Sequence, residues 1–272
     1  LGFGPFVRKE AHEWRRSKRL WILLVLMLLF SLFALLGPIG LRALVQTVPA
    51  ASEMSAPAGT ALAMLPDAFV SPAALSNTLA VIASGSGMAL FLLVLTTANI
   101  LVVERQSGTL AWNLTKPLAR RSLVLAKWGV ATLLFWLASS IVPLLLTFIP
   151  GVLLYGGLPT DPLLVLGTSL VLLLSSAFGV LLVLFLSLFL NNQGAIIGIA
   201  LGLYFAPLAL GNALPEAMRP WLERLWPTHV DRPFSALLAG QPLDPIALVA
   251  AVAWFIGLTA LTFTIFQRQE VN

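Results

Sequence analysis

The sequence predicts an all-α integral membrane protein with six membrane-spanning helices. Three observations carry that reading. Hydrophobic residues make up 59% of the 272-residue chain and charged residues only 10%, against about 45–50% and about 25% in soluble domains. The apolar residues gather into six long runs, each close to the roughly 20 residues a helix needs to cross hydrocarbon. The 16 Lys and Arg outnumber the 11 Asp and Glu, for a net charge of +5, and they sit in blocks beside those runs. So few charges do not cover a soluble fold of this size, which excludes an ordinary soluble enzyme. The apolar content excludes a disordered chain. Basic blocks flanking apolar runs belong to a membrane protein, so the high pI does not imply a nucleic-acid partner. The chain has no cysteine, which removes disulfides, thiolate metal sites and cysteine nucleophiles.

Residues 1–19 form a basic leader. Phe3, Phe6, Val7, Ala11 and Trp14 recur at helical spacing, and Arg8, Lys9, Glu13, Arg15 and Arg16 fill most of the remaining turn. This pattern predicts an amphipathic helix in the inner headgroup layer, started by Pro5. The first span, Leu20–Leu41, is longer than the core of a signal peptide and is expected to stay as an anchor. Val45–Asn77 reads as an outer loop with a short helix near Leu62–Phe69.

The remaining spans are expected at Leu79–Val103, Leu123–Ile149, Leu163–Leu190, Gly194–Leu214 and Ile246–Phe266. Asn191, Asn192 and Gln193 are the break between the fourth and fifth, which predicts a tight hairpin. Lys127 is the one charge inside these runs, and it is expected to snorkel to the headgroups. Thr96, Thr97, Asn99, Ser139, Ser140, Ser175 and Ser176 need partners in hydrocarbon and are expected to face other helices. Pro143, Pro150 and Pro207 are expected to kink their helices. Gly194, Gly198 and Gly202 make a Gly-x-x-x-Gly-x-x-x-Gly ridge, which suits either a homodimer seam or an internal helix contact.

Residues 211–245 form a second outer segment broken by prolines. Trp221, Leu222, Leu225 and Trp226 share one helical face, and Phe234, Leu237 and Leu238 repeat the pattern before Gly240. Two short helices follow, capping the outer mouth or lying in the outer interface, with their tryptophans at headgroup depth. His229 and Asp231 read as solvated loop residues. An even number of spans puts both termini on one side. Twelve Lys and Arg fall on that side and four on the other, which places the termini in the cytoplasm.

The connection at 104–122 carries the most information. Glu104 and Arg105 mark the exit of the second span. Ser107 or Thr109 is suited to cap a new helix, Leu110 and Leu114 give it an apolar edge, and Pro117 ends it. Arg120 and Arg121 then meet the headgroups. The product is a short cytoplasmic helix held between two long ones.

The order Glu-Arg-x-x-Gly-Thr-Leu at Glu104–Leu110, then Lys116-Pro117-Leu118-x-Arg120, then Lys127, resembles the permease subunits of type 2 ABC exporters. The leader Arg8-Lys9-Glu10 followed by a basic run and Trp21-Ile22-Leu23 is similar to theirs, and the likeness extends over the whole chain as one permease domain. The resemblance implies a homodimer in the cytoplasmic (inner) membrane, each copy bound to a separate ABC ATPase subunit, two in all. It implies that 104–122 holds a coupling helix, with Glu104, Arg105, Ser107, Gly108, Thr109, Leu110, Asn113, Leu114 and Lys116 meeting the ATPase. It implies that the leader, with Phe6, Val7, Trp14, Arg15 and Arg16, is an elbow helix at the membrane surface. The fifth-to-sixth segment corresponds to short re-entrant helices in relatives. In relatives the first and fifth spans form the dimer interface.

No Gly-x-x-x-x-Gly-Lys-Ser/Thr occurs, so ATP and Mg are expected on the partner subunit, with no cofactor in this chain. His12-Glu13 lacks a second His, no Gly-x-Ser-x-Gly occurs, and the permease is not expected to be an enzyme by itself. Two other readings of the same layout are a membrane factor serving maturation of an extracytoplasmic metalloprotein and a half-size secondary transporter. The absence of buried charges argues against the latter.

Overall fold

The computed structural model describes residues 3–47, 70–85, 88–107 and 120–268. Every regular element in this set is helical. In chain order these are α1 (Phe3–Arg16), α2 (Lys18–Thr47), α3 (Pro72–Ala83), α4 (Ala89–Thr97), α5 (Val102–Gln106), α6 (Arg120–Trp136), α7 (Val142–Tyr155), α8 (Pro162–Phe189), α9 (Gln193–Ala213), α10 (Arg219–Leu225), α11 (Arg232–Leu238) and α12 (Pro245–Arg268). The short helix expected at Leu62–Phe69 lies outside the described residues.

Six stretches are long and apolar enough to cross a membrane: Lys18–Ala43, Ala89–Gln106, Arg121–Tyr155, Pro162–Phe189, Gln193–Gly211 and Pro245–Arg268. Their outward residues are apolar. Phe33 is 78% exposed, Leu153 77% and Leu208 72%. Hydrocarbon, not water, suits such a surface.

The second span departs from the expected single run at Leu79–Val103. Helix α3 closes at Ala83, and Gly85 adopts φ +74°, in the left-handed region. Glycine takes that conformation without a Cβ clash, so the chain turns before α4 begins. The third span carries a π-helical turn at Leu137–Ile141, immediately before Pro143. Pro143 has no N–H for the preceding turn, and widening the helix there accommodates the loss. Pro38, Pro150 and Pro207 lie inside helices that continue through them.

The chain divides into two compact units. One comprises Ile22–Ala89 and Leu137–Leu170, the other Leu1–Trp21, Leu90–Trp136 and Val171–Asn272. The first has its core at Leu35, Leu75, Leu79, Ile82, Tyr155 and Val165. Tyr155 donates its hydroxyl to the Leu35 carbonyl at 3.0 Å, and Ser140 meets Ser169 at 2.8 Å. Helix α7 ends at Gly156 with φ +75°.

The second unit has its core at Phe178, Leu181, Leu182, Val230, Ala251 and Leu258. Phe255 stands 6.1 Å from both Trp128 and Phe178, ring centre to ring centre. Of the polar residues expected to turn away from lipid, five do so, and Thr96 and Asn99 are half-buried. Thr97, Ser139, Ser140, Ser175 and Ser176 are buried. Most satisfy their hydroxyls on their own helix, as Thr97 does on the Leu93 carbonyl at 2.6 Å.

Candidate functional site

Two constructions in the second unit bear on function, one at each end of its spans. The first begins with the leader. Phe6, Glu10 and Trp14 are spaced four apart, so they share one face of α1, and all three are buried. Helix α1 packs against α6. Arg8, Arg15 and Arg16 stay exposed, with the last two at the C-terminal end of α1, where its dipole favours cations. Val7 is half-buried.

Glu10 on that buried stripe faces Lys127 of α6. Lys127 Nζ donates to Glu10 Oε1 at 2.8 Å and lies 2.9 Å from Glu104 Oε1 on α5. Lys9 Nζ reaches the same Glu104 oxygen at 3.1 Å and Glu13 at 3.4 Å. Lys127 is 2% exposed at its side chain and Glu10 4%. Each of these ions loses several kcal/mol of hydration on burial, so each needs the other. Burial pushes the Glu10 carboxyl up, and Lys127 opposes it. Burial pulls Lys9 down, but Glu104 and the neighbouring glutamates outweigh it and hold the ammonium above its ordinary value.

Three helices that are distant in sequence are therefore tied through one ionic knot, beside a cavity of about 150 Å³. Arg19 Nη1 donates to Asn99 Oδ1 at its edge. The carboxylates of Glu10, Glu13 and Glu104 converge within 4.8 Å, but Lys127 Nζ already stands between two of them, so the group reads as a salt-bridge network.

The expectation for Lys127 is corrected here: it does not reach for headgroups but is buried against two carboxylates. The signal was present in the sequence. An acid on the apolar stripe of α1 calls for a cation on whatever covers that stripe, and Lys127 is the one charge in the spans. Glu104 lies in the knot, 10% exposed at its side chain. Arg105 Nη1 donates to Asn191 Oδ1 at 2.8 Å, which holds the tight α8–α9 connection. Ser107 closes α5, donating its hydroxyl to the Glu104 carbonyl at 3.3 Å. Gly108, Thr109, Leu110, Asn113, Leu114 and Lys116 lie outside the described residues.

Asn192 caps α9, accepting the Gly194 N–H at 2.8 Å. Gly198 and Gly202 are exposed with open space above them.

The second construction is the segment after α9. Helices α10 and α11 form at the expected places, and Gly240 at φ +73° ends the second. They do not lie flat across an outer face. Trp226 Nε1 donates to the Leu203 carbonyl at 2.8 Å, and Thr228 Oγ1 lies 3.5 Å from the same oxygen. Leu203 is ten residues before the end of α9, about 15 Å along its axis. Trp254, well inside α12, donates Nε1 to the Leu225 carbonyl at 2.8 Å. The segment is thus a hairpin folded back along α9 and α12: α10 leads in, Trp226–Asp231 form the tip, and α11 leads out.

The tip makes use of a defect. Pro207 offers no N–H to the carbonyl four residues earlier, and that carbonyl belongs to Leu203. The hairpin supplies the missing donor, which is how proline is accommodated in spanning helices. Val230 and Thr228 are buried.

Asp231, expected in a solvated loop, is half-buried beside α8; burial pushes its carboxyl up, while Ser175, His229 and Arg232 oppose this. His229 Nδ1 lies 3.1 Å from the Glu223 carbonyl. Arg232 pairs with Glu223 at 2.9 Å and Arg224 with Asp244 at 2.6 Å. Lys127, buried against Glu10, removes the premise that no charge is buried.

Six helices long and apolar enough to cross a membrane define a multi-pass α-helical membrane protein. The chain belongs to the ABC-2 transporter family: its residues 5–271 match the family model described as "ABC-2 family transporter protein". It is a permease subunit of an ABC transporter, as the leader and the 104–122 connection had suggested. A search of curated proteins finds no match.

Proposed function

We propose that this permease works as a homodimer in the cytoplasmic membrane with two copies of a separate ABC ATPase. ATP and Mg bound on that partner drive export of a substrate, or its transfer between leaflets. The chain itself performs no catalysis. Its termini and residues 104–122 face the cytoplasm, where Gly108–Leu114 dock on the ATPase. The open ridge at Gly198 and Gly202 meets the second copy. The small number of polar side chains in the spans suits a hydrophobic or amphipathic substrate.

The observation that carries the reading is the knot of Glu10, Lys127 and Glu104. It fastens the exit of the second span to the leader and to the third span. A push on the segment after Ser107 therefore moves α1, α5 and α6 together, which a mechanical coupling requires. A docking contact shifts such an equilibrium only through differential affinity for the two states.

The test uses the permease and its ATPase co-expressed and reconstituted in vesicles. Gly108→Trp, Leu110→Asp and Leu114→Asp are expected to lose ATPase pull-down and transport-stimulated hydrolysis. Unchanged binding and turnover in all three variants overturns the coupling assignment.

A further inference from the structure

Between α10 and the first half of α12 runs an apolar groove of about 670 Å³, walled by Leu214, Met218, Trp221, Leu225, Trp226 and Trp254. Leu225 also borders a second apolar depression of about 380 Å³ along Ile246 and Val249. The two form a continuous trough beside α12. Its floor is carbon. The indole N–H groups of Trp226 and Trp254 are turned away to the Leu203 and Leu225 carbonyls, so the rings present their faces. Trp221 and Trp254 remain about half exposed. From Ile246 to Trp254 the trough extends about 12 Å along α12, within the thickness of the hydrocarbon.

At its shallow end stands Arg219, the first residue of α10. Its Nε donates to the carbonyl of Leu214 at 3.3 Å. That bond fixes the guanidinium at the rim, and it makes no ion pair among the described residues. The other nearby cation, Arg224, lies 5.9 Å from the Trp221 ring centre, but its charge is closed by Asp244. Glu216, exposed one turn earlier, forms no pair with Arg219 either. A trough that is apolar at hydrocarbon depth, with one uncompensated guanidinium at its mouth, matches a molecule with a chain and an anionic head. Arg is the side chain best suited to a phosphate.

We propose that this groove is a binding site for one anionic phospholipid, its acyl chain along Trp221, Trp226 and Trp254 and its phosphate at Arg219. The site depends on the membrane assignment and is independent of the transport cycle proposed above. A lipid seated there bridges α10 and α12 and braces the first arm of the hairpin.

The experiment places the full-length permease in nanodiscs of phosphatidylcholine. A minor fraction of the lipid carries bromine on its acyl chains, either as phosphatidylglycerol or as phosphatidylcholine. Quenching at the groove is the difference in tryptophan emission between the wild type and the Trp221→Phe/Trp254→Phe variant. The brominated anionic lipid is expected to be enriched about fivefold over its zwitterionic counterpart, the preference one Arg supplies near an anionic headgroup. Arg219→Gln abolishes the preference and Arg219→Lys keeps part of it. Equal quenching by the two lipids, a preference that survives Arg219→Gln, or no quenching at these tryptophans overturns the site.

Discussion

Trp226 gives its indole N–H to the Leu203 carbonyl at 2.8 Å, the carbonyl that Pro207 leaves without a helical donor. One proline in the fifth span and one tryptophan nineteen residues later thus form a single structural unit. Removing the donor leaves this half-buried acceptor with only the long contact to Thr228 Oγ1 at 3.5 Å, at a cost of about 1–3 kcal/mol. Trp226→Phe is expected to destabilise the protein by that order in denaturant titrations in detergent. Pro207→Ala restores an N–H four residues after Leu203. In that background the cost of Trp226→Phe should shrink to the loss of packing alone. Equal costs in the two backgrounds would refute the pairing.

The ionic knot makes a second non-additive prediction. Lys127→Met leaves Glu10 buried without its nearest cation, and breaking a buried pair from one side costs about 3–5 kcal/mol. Glu10→Leu alone is milder, because Lys127 retains Glu104 at 2.9 Å. The double variant Glu10→Leu/Lys127→Met removes both charges and leaves Glu104 with Lys9 at 3.1 Å. It should recover most of the stability lost by Lys127→Met, since replacing a buried pair with apolar residues is often neutral. Thermal unfolding of the three variants measures this. If ATPase coupling depends on the knot, the double variant is stable yet has weakened coupling.

What the sequence made legible depended on how local the cause was. The six spans follow from apolar run length. Helices α1, α10 and α11 follow from stripes such as Phe6–Trp14 and Trp221–Trp226, each contained in a few turns. The break of the second span was signalled by Gly85 and its serine neighbours, but hydropathy averaged across a window passes over it. The folding-back of the hairpin depends on the Leu203 carbonyl and Trp226 meeting in space, and no spacing rule reports that. The partner of Lys127 lay 117 residues away. Only the misfit of Glu10 on an apolar stripe pointed to it, and the carbon count of the third span masked the need.

Asp231 gives the tip a pH dependence with a definite sign. Burial raises its carboxyl above the ordinary 3.8, against the opposing influence of Ser175 and the charges of His229 and Arg232. Tyr204 on α9 is the other titratable group beside it. Between 3.8 and the raised value the folded state holds a proton that the unfolded state releases. Stability contributed by this group therefore falls as pH rises through that window and levels off above it. Asp231→Asn removes the ionisation while keeping the size and polarity of the side chain. Its melting temperature should exceed the wild type's at pH 7.5, and the difference should narrow as pH falls through the window. A difference independent of pH would show that the carboxyl does not titrate between the two states.

Gly179 on α8 lies close against side chains of α4 and α9. A Cβ built there would stand 2.8 Å from the Tyr204 hydroxyl and 2.9 Å from a Leu93 methyl carbon. Both are closer than carbon tolerates, though both atoms end side chains that have some freedom to move. Gly179→Ala is therefore expected to cost about 1–3 kcal/mol, the range for overpacking a filled core, against the gain a helix normally makes on replacing glycine with alanine. The sign of the measured change decides which effect wins. Tyr204→Phe removes the closer of the two atoms, so Gly179→Ala should be better tolerated in that background, by a coupling of about 0.5 kcal/mol or more. Strict additivity of the two substitutions in thermal unfolding would mean that Tyr204 does not limit the approach, and that Leu93 alone sets it.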